Sequence, residues 1–198
     1  MLLEVLEKQK KLDSWLGKGK RERNITDICM SAIAECIELN EEFVDEFRFK
    51  TWKPKKYNDT NRNKELIDIF FFISQLINKS VDINKNEIFI MNLEDVLKES
   101  CKLKNIDLDI NPNKELSKLI SVFSNLSYIC SISKKNEAYL NSCVIEDLTS
   151  VLRIYGNLSS KLGIDYITLK ELYNDKMEVN LNREDFKKAV GGFINENK

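Results

Sequence analysis

The stretch KELIDIFFFISQLI, residues 64–77, decides how the rest of the chain is read. Its Leu, Ile and Phe residues recur at helical rather than alternating spacing, and they fall nearly all round the axis, as in a helix covered on several sides. Asp68 sits inside this apolar run. A lone carboxylate in a dry core costs several kcal/mol, so such groups are paired or bind metal. The reading of 64–77 as a buried helix therefore demands a partner for Asp68 from elsewhere in the chain.

Composition supports a helical protein. The chain has 198 residues, 42% hydrophobic and 32% charged, with six Gly and two Pro. Such scarcity of turn residues favours long helices over a β-rich fold. The length suits one domain, 1–198, and the expected fold class is all-α, a helical bundle. Working outward, helices are expected over Leu2–Trp15, closing near Gly17; from an N-cap at Thr26 through Phe47; and from a cap at Asp59 or Thr60 to about Lys79. Residues 81–112 read as two short helical or irregular pieces, with Pro112 marking a restart. Two amphipathic helices follow, at 114–133 and at 144–163, the second ending at Gly163, and the last helical segment, 168–190, frays after Gly191.

A net charge of −1 gives no global attraction for nucleic acid, and KGKRER, residues 18–23, reads as a solvated loop. No nucleic-acid partner is expected. The N-terminus lacks the apolar core of a signal peptide, and no apolar run is long enough to span a bilayer, so the expectation is a soluble cytoplasmic protein with no membrane partner. Cys29, Cys36, Cys101, Cys130 and Cys143 form no CxxC pair and read as small buried hydrophobes. There is no histidine. Any chemistry must then rest on carboxylates, Lys, Arg, Tyr, Cys or hydroxyls, and hard cations with oxygen ligands are the natural cofactors.

Residues three apart on a helix are neighbours on one face. Glu65 and Asp68 form such a pair, and Glu35 and Glu38 in AIAECIELNEE, residues 32–42, form another with apolar neighbours. Side by side, the two helices would bring four carboxylates together. That is repulsive without cations and suits Mg2+. A di-iron bundle would need Glu-x-x-His, which a chain without His cannot supply.

ExxE, 26 intervening residues and ExxD, with FKTWK between them, resemble the all-α NTP pyrophosphohydrolase superfamily, specifically its dimeric dUTPase branch, related to MazG proteins. YNDKMEVNLNR, residues 173–183, resembles that branch's C-terminal Y..K...N..R pattern, and EKQKKLD at the N-terminus does so more weakly. The resemblance covers about 1–80 and 150–190, with 81–149 read as an extra, family-variable helical insertion. It implies that Glu35, Glu38, Glu65 and Asp68 hold Mg2+, with Glu35 or Glu38 as the catalytic base. It further implies that Lys176, Asn180, Arg183 and Lys53 bind phosphate and that Gln9 and Trp52 lie near the base. Independently, Lys176, Asn180 and Arg183 share one helix face and present two cations and an amide. The chain departs from the family at Phe71, where His is frequent, at Met177 for Asn and at Glu184 for Gln.

The implied activity is Mg2+-dependent hydrolysis of dUTP to dUMP and pyrophosphate, with dUDP as a further candidate substrate. The alternatives are a MazG-like pyrophosphatase of other or broader base range and a catalytically inactive helical interaction protein. A homodimer is expected, both from the resemblance and because the 64–77 helix needs covering on more than one face.

Overall fold

The computed structural model describes residues 2–16, 21–102, 111–132 and 137–183. The turn at Gly17, the ends of the helices expected at 114–133 and 168–190, Cys143 and Glu184 lie outside the described residues or side chains. Seven helices and no strand appear among the described residues: α1 Leu2–Leu16, α2 Ile25–Glu41, α3 Asp59–Ser80, α4 Glu87–Ser100, α5 Asn113–Ile132, α6 Glu137–Lys161 and α7 Tyr166–Asn182. None of them is long and apolar enough to cross a membrane.

Local chemistry sets the ends of these helices. α2 is capped by Asn24 and not by Thr26: the Asn24 side chain accepts from the Asp27 amide at 2.8 Å, and the Asp27 carboxylate accepts from the Asn24 amide at 3.0 Å. This reciprocal box satisfies two N-terminal donors at once, which a threonine two residues later cannot do. Thr26 instead directs its hydroxyl to the Ser127 carbonyl, at 3.5 Å. α3 is likewise capped one residue earlier than expected, by Asn58. α6 closes on Gly163, whose φ of +76° is left-handed, and the Ile164 amide reaches back to the Ser159 carbonyl at 2.9 Å. That is the pattern in which Gly avoids the Cβ penalty.

α2 stops at Glu41, short of the expected Phe47. The reason is the side chain of Asn40, 7% exposed. Its oxygen accepts from the Phe49 amide at 2.8 Å, and its nitrogen donates to the Phe47 carbonyl and to Asn113 of α5. The Phe47 carbonyl also accepts from Asn113 at 2.7 Å, so the two amides together hold the turn that follows. Of the stretch 81–112, the described residues include one 14-residue helix, α4, while 103–110 lie outside the described residues.

α3 is the spine. It packs against α1, α2, α6 and α7, while α2 also lies along α5, and α4 and α5 both lie against α6. The contacts Thr26–Ser127 and Asn40–Asn113 make α2 and α5 antiparallel. Leu66, Ile69, Phe70, Ile73, Leu76 and Ile77 are all fully buried by these neighbours. The apolar circumference of α3 is thus covered within one chain, which removes the sequence-based reason for expecting a second subunit on it. Within residues 81–163, α6 supplies part of that cover, and Leu93, Leu97, Leu119, Phe123 and Leu152 extend the same core behind it.

Candidate active site

The acids sit where α2 and α3 run side by side. Their positions follow from the burial of the opposite faces: Cys29, Ala32, Cys36 and Leu39 turn inward on α2, as do Leu66, Ile69, Phe70 and Ile73 on α3. Glu35 and Glu65 are then left at the rim, half-buried, with Glu38 exposed. Glu35, Glu38 and Glu65 each offer one oxygen, and these oxygens lie within 4.8 Å of one another. Opposite ligands on one Mg2+ are separated by about 4.2 Å. An all-oxygen set of this span therefore fits a hard divalent cation with small side-chain movements.

The electrostatics point the same way. Burial, then the charges of Asp68, Glu38 and Glu65, raises the Glu35 carboxyl to about 7. Burial and the charges of Asp68 and Glu38 raise Glu65 as well. Carboxylates that raise one another hold more negative charge than the site stabilises by itself, which is the condition a cation relieves.

Asp68, the fourth acid, is outside that trio. Its Oδ2 accepts from Lys176 Nζ of α7 at 2.7 Å, and this is the partner the apolar context of residues 64–77 required. Burial raises the Asp68 carboxyl, and Lys176 and then Arg183 pull it part of the way back. α7 is seated by Tyr173, one turn before Lys176, which is fully buried. Its ring stacks on Phe71 with centroids 4.8 Å apart and meets Phe70 edge-on at 5.7 Å. Phe71, where the resemblance leads one to expect His, thus helps seat the helix that carries the cations. Arg183 follows the end of α7, close enough for its charge to act on Asp68, and Asn180 is half-buried in the last turn.

The remaining expected residues lie on the loop after α2 and on α1. Trp52 is 75% exposed on the loop between α2 and α3, beside exposed Lys53. Lysines of this loop fold back on the end of α2, where Lys50 pairs with Glu41 and Lys55 with Glu42. Gln9 is fully buried, donating to Asp13 at 2.8 Å and accepting from the Tyr173 hydroxyl at 3.4 Å. Burial raises Asp13 to about 6 against the pull of Gln9 and Arg23.

Glu42 was missed from the sequence. Its charge acts on Glu65, and its Oε2 is buried with no hydrogen-bond partner. Its spacing of four from Glu38 places it on the same helical side, a signal hidden by the run of acids in LNEE. Cys29, Cys36 and Cys101 are poor nucleophiles: burial pushes both Cys29 and Cys101 up to about 12 and raises Cys36 as well.

No curated protein matches the chain. The family model described as dUTPase matches residues 1–187. With two acid-bearing helices side by side and a cation-bearing helix seated on one of them, α3, the chain belongs to the all-α dUTPase family, and its activity is that of a dUTP diphosphatase, a hydrolase.

Proposed function

We propose that the chain splits dUTP to dUMP and pyrophosphate with Mg2+ held by Glu35, Glu38, Glu65 and Asp68. The observation that carries this reading is the convergence of three carboxylate oxygens within 4.8 Å on helices that bury their other faces. Bound there, Mg2+ supplies charge neutralisation for the triphosphate and Lewis-acid polarisation of its oxygens. Glu35, half-buried at the rim of the trio, takes the proton of the attacking water. Glu38, more exposed, is the alternative acceptor. Lys176, Asn180 and Arg183 hold phosphate oxygens and stabilise charge that develops on them, and Lys53 approaches from the loop.

Base recognition falls to Trp52 and Gln9. Trp52 offers an exposed ring for stacking. Gln9 reaches a base by exchanging its contacts to Asp13 and Tyr173, so its specificity depends on that buried trio. A homodimer is part of the proposal, supported by the exposed apolar stripe of α2, where Met30 and Ile37 lie two turns apart at 56% and 43% exposure. A cytoplasmic location is in keeping with the free buried thiols Cys29, Cys36 and Cys101.

The test is turnover across the deoxynucleoside triphosphates and dUDP, with and without Mg2+. Release of pyrophosphate from dUTP that depends on Mg2+ supports the reading. Equal rates on all bases would favour the MazG-like alternative, and no turnover of any nucleotide would favour an interaction protein. Sedimentation at low micromolar concentration checks the dimer.

A further inference from the structure

Three of the four acids point oxygens at one another, but the fourth is occupied. Asp68 Oδ2 is engaged by Lys176 Nζ at 2.7 Å, and the two side chains are 24% and 22% exposed. The charge of Lys176 also reaches the trio, pulling Glu35 and Glu65 down against their mutual repulsion. Lys176 therefore does, in the protein alone, part of what a divalent cation would do.

We propose that Lys176 is an internal counter-ion latch: it holds Asp68 out of the metal-binding set until a triphosphate draws the ammonium away, so that divalent cation and nucleotide bind cooperatively. The inference rests on the metal and phosphate roles proposed above. An ammonium on a four-carbon stem has three rotatable donors and exchanges one anionic partner for another readily. The pair is only part-buried, so a competing anion can reach the ammonium. The triphosphate is the stronger competitor, with several anionic oxygens. Tyr173, locked against Phe70 and Phe71, keeps α7 seated, so the exchange needs side-chain rotation alone. Once released, Asp68 adds a fourth carboxylate, and by linkage a bound cation strengthens nucleotide binding by the same factor.

Calorimetric titration of Mg2+ into wild type, Lys176→Met, Lys176→Gln and Lys176→Arg, each with and without a saturating non-hydrolysable α,β-imido analogue of dUTP, tests the latch. In wild type the analogue should tighten Mg2+ binding by about tenfold or more, as expected for coupled sites. In Lys176→Met and Lys176→Gln, Mg2+ alone should bind more tightly and the gain from the analogue should shrink by about tenfold, while Lys176→Arg keeps the wild-type gain. In an Asp68→Asn background, Lys176→Met should leave the gain unchanged, since there is then no latch to remove. A full wild-type gain in both neutral variants, with Mg2+ still binding, overturns the latch and leaves the metal site standing. Absence of Mg2+ binding to wild type with or without the analogue overturns both.

Discussion

The hydroxyl of Tyr155 on α6 donates to the carbonyl of Leu66 on α3 at 3.0 Å, directly behind Glu65. Its ring stacks on Phe70 with centroids 5.3 Å apart and planes 9° from parallel, and the side chain is fully buried. α6 thus fixes the back of the helix whose front carries two acids. Tyr155→Phe keeps the stack and loses only the hydrogen bond, so it should cost about 1 kcal/mol. Tyr155→Ala empties the site and should cost about 3 to 5 kcal/mol. Chemical denaturation of the two variants checks the ratio.

Gly156, the next residue, faces α4. A Cβ built there would lie 2.5 Å from the Ser100 Cβ and 3.2 Å from the Leu97 carbonyl. Gly→Ala inside a helix is ordinarily stabilising by about 1 kcal/mol. Here the sign should reverse, because neither a Cβ nor a helix carbonyl can move aside cheaply, and Gly156→Ala should lower the unfolding midpoint. Ser100→Gly in the same chain should recover part of the loss, whereas Ser100→Ala, which keeps the Cβ, should recover none.

Glu94 of α4 ties two ends of the fold together. It accepts from the Leu2 amide at 3.0 Å and from the Tyr166 hydroxyl, and it pairs with Lys98 at 3.2 Å. Burial works against its charge, but the hydrogen bonds from Tyr166, Leu2 and Lys98 prevail and hold it near 2, from an ordinary value of 4.5. A depressed carboxyl contributes stability that is complete above its unfolded value and is lost as pH falls through the folded one. Glu94→Gln should therefore destabilise by about 2 kcal/mol at neutral pH. The gap to wild type should close as pH falls from 4.5 towards about 2, which denaturation curves at several acidic pH values will show.

Glu35 has the opposite sign. Its folded value is about 7, above the ordinary 4.5, so the folded protein without metal holds that proton more tightly and loses stability as pH rises between the two. Glu35→Gln should flatten this slope. Mg2+ should raise the melting temperature more at about pH 8 than at about pH 5, because ligands must be deprotonated to bind it. Glu38→Gln should remain folded, with equal or greater stability without Mg2+, and should lose turnover. Thermal melts with and without Mg2+ give both answers.

Arg183→Ala removes a positive charge that acts on Asp68 and, in the proposed site, on phosphate. It should weaken triphosphate binding by about 1.5 to 3 kcal/mol. The loss should be similar for dUTP and dTTP, since phosphate carries no base identity. A change in base preference at unchanged phosphate affinity would assign the residue to the base pocket instead.

Local information was enough for the elements. Periodicity located α1, α2, α3, α5, α6 and α7, and the pairs Glu35–Glu38 and Glu65–Asp68 were legible because spacing by three on a helix has one geometric meaning. It was not enough for ends with competing signals. Thr26 and Asn24 both look like caps of α2, and only the return bond from Asp27 selects Asn24. The stop at Glu41 was not legible either, since it involves Asn40 bonding both to Phe47 and Phe49 beyond the helix and to Asn113 of α5.

The apolar circumference of α3 shows where the boundary lies. The sequence determined that this helix is apolar nearly all round and that Asp68 within it needs a partner, because desolvation depends on residue type and periodicity alone. Only the tertiary structure decided that α1, α2, α6 and α7 of the same chain supply the cover and that Lys176, 108 residues away, supplies the charge. Helical spacing reports which side chains share a face, but it carries no information on which face meets which. That is set by the packing of Tyr155 and Tyr173 on Phe70, where distant helices fill one common volume.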